Sequence, residues 1–175
     1  MGVPGGGKGG IMKELTQMRD AVVDALNAGG LAAMAAFPPG RAKAYAGPAA
    51  AVAVETAQGK AMGFCGYLGE RYDPESGVSR ELYGKMLEGV IVVDVRGNRA
   101  ADCEAGCGTA AEILLGDLPS GIRPGELSWE ALQWERETGM FLRRGRLQCR
   151  AVFAAESSGE EDVFLDFVLK GVMKN

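Results

Sequence analysis

Residues 63–95 read GFCGYLGERYDPESGVSRELYGKMLEGVIVVDV, and the order of side chains in this stretch decides the fold. From 82 to 95 the apolar residues Leu87, Val90, Ile91, Val92, Val93 and Val95 form a β-branched run, which predicts a central strand. Residues 60–68, just before, read as a shorter strand. Between the two stands a polar insert over 70–80, Glu70-Arg71-Tyr72-Asp73-Pro74-Glu75-Ser76-Gly77-Val78-Ser79-Arg80. Compact domains join neighbouring strands with about 2–5 residues, so an insert of this length is expected to be a protruding arm that touches a partner.

Upstream, Val52 and Val54 alternate within 50–56, which pairs with 60–68 as a hairpin turning near Gln58-Gly59. Residues 31–37 are small and apolar and read as a further helical turn, stopped by Pro38-Pro39-Gly40. Ile11, Leu15, Met18, Val22 and Leu26 recur at helical spacing, with Lys13, Glu14, Arg19, Asp20 and Asp24 on the other faces. This predicts an amphipathic helix over 11–26, ended by Asn27-Ala28-Gly29-Gly30. Residues 1–10, glycine-rich with one lysine, are expected to form a flexible arm ahead of one domain spanning 11–175.

Downstream, Arg96-Gly97-Asn98-Arg99 closes the central strand, and Cys103, Cys107, Ala110 and Leu114 predict a second core-facing helix over 102–115. Three β segments follow, 127–137, 140–153 and 163–172, the last two separated by the acidic run from Glu156 to Asp162. Leu147, Cys149, Ala151 and Phe153 fall on one face by alternation, as do Val163, Leu165, Phe167 and Leu169. Trp129 and Trp134, five apart on one segment, are expected on opposite sheet faces. Short turns between strands and only two helices predict an α+β fold, with an antiparallel or mixed β-sheet and the two main helices packed on one face.

The chain of 175 residues, 47% hydrophobic, has enough apolar material for one continuous core. A formal net charge of −4 argues against a general nucleic-acid-binding surface, which needs a basic face to displace counterions. No apolar run reaches membrane-spanning length and no signal segment opens the chain, so a soluble, intracellular product is expected. Histidine is absent, which removes the commonest general base and metal ligand and disfavours an enzyme.

Several short patterns invite chemical readings. Gly2-Val3-Pro4-Gly5-Gly6-Gly7-Lys8 fits the start of a phosphate-binding loop, but no strand delivers it and Gly9, not Ser or Thr, follows the lysine. Cys103 and Cys107 face the same way on a helix and would supply half a metal site; with Cys65 and Cys149 they are read instead as small apolar core residues. No catalytic, cofactor or metal residues are therefore assigned. Arg144, Arg146 and Arg150 fall opposite Leu147 and Cys149, a basic strand face that reads first as ordinary solvated charge and second as a ring contact with an acidic loop of a neighbouring subunit; Glu160, Glu161 and Asp162 read as a solvated turn.

Tyr67-Leu68-Gly69-Glu70-Arg71-Tyr72-Asp73, Glu81-Leu82-Tyr83-Gly84-Lys85, Gly139-Met140-Phe141 and the closing Phe164-Leu165-Asp166-Phe167-Val168-Leu169-Lys170-Gly171 resemble small structural proteins of tailed-phage and prophage morphogenesis. The chain is similar, over roughly 13–173, to tail terminator and allied tail-completion or head–tail joining proteins. That resemblance implies a non-enzymatic α+β protein without cofactor. It would assemble as a hexameric homo-oligomeric ring in the host cytoplasm and take its place at the tail–neck junction of the virion. Its implied partners are its own copies, the tail tube protein and the head–tail connector or neck protein, with DNA passing through the lumen unbound and no membrane contact. No family motif marks individual interface residues; from the sequence itself the expected ones are Glu70, Arg71, Tyr72, Asp73, Glu75 and Arg80 on the arm, Arg144, Arg146 and Arg150, and Glu160, Glu161 and Asp162. Two other readings stay open: another head–tail joining or tube component, and a small ligand-binding or regulatory α+β domain.

Overall fold

The β-branched run becomes the spine of the molecule. In the computed structural model, which describes residues 8–38, 45–63, 66–157 and 166–172, it lies in strand β4, Val78–Gly97. Around it, in chain order, are α1 (Lys8–Ala28), β1 (Ala32–Met34), β2 (Ala49–Ala61), β3 (Tyr67–Asp73), α2 (Ala100–Gly116), β5 (Ile122–Trp129), β6 (Gln133–Glu135), β7 (Met140–Ser157) and β8 (Val168–Leu169). β4 pairs antiparallel with β7 along one side and with β2 and then β3 along the other. β5, β6 and β8 line the far side of β7, and β1 adds to β2 in parallel. The sheet is mixed, one of the two forms that the α+β reading allows.

Alternation along these strands sorts the side chains. Val52 on β2, Leu87, Ile91, Val93 and Val95 on β4, and Leu147, Cys149, Ala151 and Phe153 on β7 are buried on one face. They form one cluster with Met18, Val22 and Leu26 of α1 and Cys103, Cys107, Ala110 and Leu114 of α2. Burying a side chain of the size of Leu or Phe stabilises by about 1.5–3 kcal/mol, so this cluster is the main source of stability. Among the described residues no helix packs on the opposite face, which carries Asp94, Arg144, Arg146 and Arg150.

Several local expectations are overturned. Residues 32–34 are a strand, not a helical turn, because the Asn27 side chain holds them extended. Its Nδ2 donates to the carbonyls of Val23 and Ala33, both at 3.0 Å, and its Oδ1 accepts from the Ala33 amide at 3.0 Å. No turn forms at Gln58-Gly59: β2 runs straight through, with Gln58 opposite Glu88 and Gly59 opposite Leu87, because β4 is long enough to pair with it as far as Ala61. A bulge at Glu55 lies between the paired residues Val54 and Thr56.

Residues 127–137 are likewise not one strand but the end of β5 and the separate β6. This places the tryptophans on the same face rather than opposite ones. Trp129 pairs with Gly145 and Trp134 with Phe141, and positions 141 and 145 share a side of β7. Trp129 packs against the core, whereas Trp134 remains 55% exposed at the sheet end, its ring edge-on to Phe141 with centroids 5.0 Å apart. α1 begins at Lys8, so its first turn takes in three residues of the glycine-rich lead. Cys65, Val163 and Leu165 lie outside the described residues.

Candidate functional site: the hairpin arm and the charged sheet face

The 70–80 segment is not an irregular insert. It is the outer part of an antiparallel hairpin in which Glu70 pairs with Glu81, Arg71 with Arg80, Tyr72 with Ser79 and Asp73 with Val78. Only Pro74, Glu75, Ser76 and Gly77 turn the chain. The Asp73 carboxylate builds this turn: Oδ1 accepts from the Glu75 amide at 3.0 Å and Oδ2 accepts from the Ser76 hydroxyl at 2.7 Å. These bonds, that of Ser76 foremost, hold the Asp73 carboxyl below its ordinary value. Gly77 takes the left-handed conformation, φ 68°, that lets its amide reach the Asp73 carbonyl at 2.8 Å. The Asp-Pro…Gly pattern is a turn signal, and it was the legible clue that the insert is a ladder.

The root of the hairpin is tied to the sheet. Arg71 and Arg80 converge on Glu156 at the end of β7, at 3.5 and 3.3 Å. On the other face Tyr67 and Tyr83 meet edge-to-face, centroids 5.7 Å apart, and the Tyr83 hydroxyl donates to Glu81 at 2.7 Å. Beyond these contacts the arm shows apolar surface to solvent, with Tyr72 64%, Leu68 44% and Val78 40% exposed. Leu68 and Val78 escaped sequence reasoning, because their exposure follows from how β3 and β4 pair: Leu68 sits in the bulge between Tyr67 and Gly69, and Val78 on the last pair before the turn.

The expected basic face of β7 is also present, but it is already neutralised within the chain. Arg144 donates through Nε and Nη2 to the two oxygens of Asp94 at 2.7 and 2.9 Å, and Asp94 raises the Arg144 pKa first through this bidentate bond. Arg146 lies between Glu55, at 3.1 Å, and Glu130. Arg150 meets Glu88 at 3.1 Å, and Lys60 reaches the same carboxylate at 3.0 Å. The hydrogen bond from Lys60, with the charges of Lys60 and Arg150 behind it, keeps Glu88 low against the opposing effect of burial. The acidic partners come from β2, β4 and the residue after β5: strand register sets Asp94 opposite Arg144 and Glu88 opposite Arg150, whereas Glu55 reaches Arg146 from the β2 bulge and Glu130 from just past β5. A shallow groove of about 660 Å³ crosses this face, with Thr56, Val90, Arg123 and Gln148 in its lining. Glu160, Glu161 and Asp162 lie outside the described residues, so their meeting with these arginines is not seen.

Cys103, Cys107 and Cys149 sit in the core. The Cys103 thiol donates to the Val95 carbonyl at 3.3 Å, and the neighbouring Cys107 thiol draws Cys103 below its ordinary value while Cys107 is itself pushed up, first by that contact and then by burial. Burial alone raises Cys149 to about 11. Among the described residues no group of three or more Cys, Asp or Glu side chains is placed to hold a metal ion. No helix among them is long and apolar enough to cross a membrane.

No protein-family model and no curated protein matches this chain. Among solved structures it is similar to a chain of "Virion of native gene transfer agent (GTA) particle", with 21% identity over 78% of this chain and 94% of that one. The TM-score is 0.35, too low for this likeness to assign a fold or a function.

Proposed function

We propose that this chain is a structural protein of tailed-phage morphogenesis, a tail-terminator-like subunit whose ring ends tube growth and docks the head connector. The observation that carries the reading is the β3–β4 arm: an ordered hairpin with a tight turn, braced at its root by Glu156, whose tip exposes Tyr72 and Val78. Rigid apolar surface beyond the edge of a sheet is the kind of feature that inserts into a neighbouring subunit. A head-to-tail contact of this sort closes a ring when its rotation allows. The charged face fits the same role, because Arg144, Arg146 and Arg150 are each neutralised by carboxylates of the chain and offer little bare charge to DNA phosphates.

The experiment is a trimmed arm. Replacing 71–80 with Asn-Gly closes a two-residue turn on the Glu70–Glu81 pair without changing register. The expected product is a folded monomer by circular dichroism and light scattering, with overlong tubes when it replaces the native protein in a phage-producing strain. Normal rings and normal tails would overturn the role of the arm. Absent rather than overlong tubes would instead point to a tube component.

A further inference from the structure

A second surface lies on the helix-covered side. α1, the end of α2 and β8 enclose a groove of about 470 Å³, with Ala21, Leu118 and Leu169 in its apolar lining and Val172 44% exposed at its margin. Asp24 and Asp117 line it as exposed carboxylates, and Asp20, also lining it, is held by Arg19 at 2.8 Å.

The backbone adds to this charge. Ala25 and Ala28, in the last turn of α1, and Asp117, the C-cap of α2, all line the groove, so two helix C-termini converge on it. Neither helix has a basic residue in its last turn. Each C-terminus carries roughly half a negative charge, which a Lys or Arg would ordinarily offset.

We infer that this groove receives a basic amphipathic segment of a different protein, with apolar side chains on its floor and a Lys or Arg at its acidic end. Charge complementarity sets the occupant: phosphate-bearing ligands and anionic lipid surfaces are repelled by the same carboxylates that attract a cation. A second copy of the chain is a poorer source, because most of its described basic side chains are engaged in internal ion pairs, from Lys13 to Arg150. This inference does not rest on the ring reading and survives its failure.

The test uses the full chain with two short helix-forming probes, an amphipathic Leu/Lys peptide and its Leu/Glu counterpart, titrated by calorimetry at low and moderate salt. The Leu/Lys peptide should bind and the Leu/Glu peptide should not. The double variant Asp24→Asn/Asp117→Asn should weaken binding about tenfold, a loss of ~1.4 kcal/mol, whereas Glu104→Gln, an exposed position on α2 outside the groove lining, should leave it unchanged. Ala28→Arg, which supplies a cation within the chain, should compete with the peptide and raise the melting temperature. Equal binding of both peptides, or equal affinity for the groove and Glu104 variants, would overturn the inference. So would a concentration-dependent dimer dispersed by the Leu/Lys peptide, which would make a second copy the occupant.

Discussion

Arg96 of β4 and Glu135 of β6 form a bidentate ion pair, Nε to Oε2 at 2.7 Å and Nη2 to Oε1 at 3.0 Å, with only 10% and 21% of their side-chain surface exposed. The pair ties the short β6 to the centre of the sheet. Thr138 adds a hydroxyl donor to the same carboxylate at 2.6 Å, and the guanidinium also lies over the Phe37 ring, 4.7 Å from its centroid. The bond from Arg96, followed by burial and then the bond from Thr138, sets the Glu135 pKa, and the net direction is down.

A depressed carboxyl pKa gives a definite pH dependence. The stabilisation is fully present above the ordinary Glu value, about 4.3, and is lost as pH falls through the lower folded value. Glu135→Gln should therefore flatten the acid limb of a melting-temperature series, with a loss at neutral pH of ~1.5–3 kcal/mol, as for a hydrogen bond to a charged group. An unchanged acid limb would show that the pair is not coupled to folding.

Gly145 should not tolerate a side chain. A Cβ there would sit 2.7 Å from Cζ3 of Trp129, which faces it across the β5–β7 ladder. Gly145→Ala is expected to cost ~1–3 kcal/mol, the range for overpacking a core, and denaturant unfolding measures it. Trp129→Leu in the same background should recover part of the loss, and its failure to do so would place the cost elsewhere.

The Asp94–Arg144 pair should show measurable coupling while that of Arg150 with Glu88 should not. Asp94 is 14% exposed and bidentate, but Arg144 keeps 39% of its side chain in water, so a double-mutant cycle should give ~1 kcal/mol, the upper end for exposed pairs. Arg150, 65% exposed, should give no resolvable term. The reverse order in ring-forming protein would assign Arg150 to an interface.

Asp73→Ala should loosen the arm without unfolding the domain, because it removes the acceptors for the Glu75 amide and Ser76 hydroxyl. Backbone chemical shifts of 74–77 should move toward random-coil values while those of β4 beyond Leu87 hold. Asp73→Asn, which keeps an acceptor for the Glu75 amide, should lie between the two. Indistinguishable shifts in all three proteins would mean that Pro74 and Gly77 suffice for the turn.

Side-chain period made the two helices, the central strand and the buried face Leu147, Cys149, Ala151 and Phe153 legible, because spacing along one element does not depend on what packs beside it. The same logic found the basic side of β7 at Arg144, Arg146 and Arg150. It failed at Gln58-Gly59, where a local turn preference yielded to ladder bonds from a longer neighbour, and at 32–34, where a side-chain amide six residues away imposed the strand. It failed for the tryptophans because a break between β5 and β6 resets the alternation.

The sequence by itself determined an α+β fold with one covered sheet face, a polar insert over 70–80 ahead of the central strand and a net negative charge. Only the tertiary structure decided that the arm is a braced ladder with a four-residue turn. It alone showed that the arginines face Asp94, Glu55, Glu130 and Glu88, and that two helix C-termini share one acidic groove. Local periodicity fixes which way a side chain points; register and helix placement fix what it meets, and those depend on contacts between residues far apart in the chain.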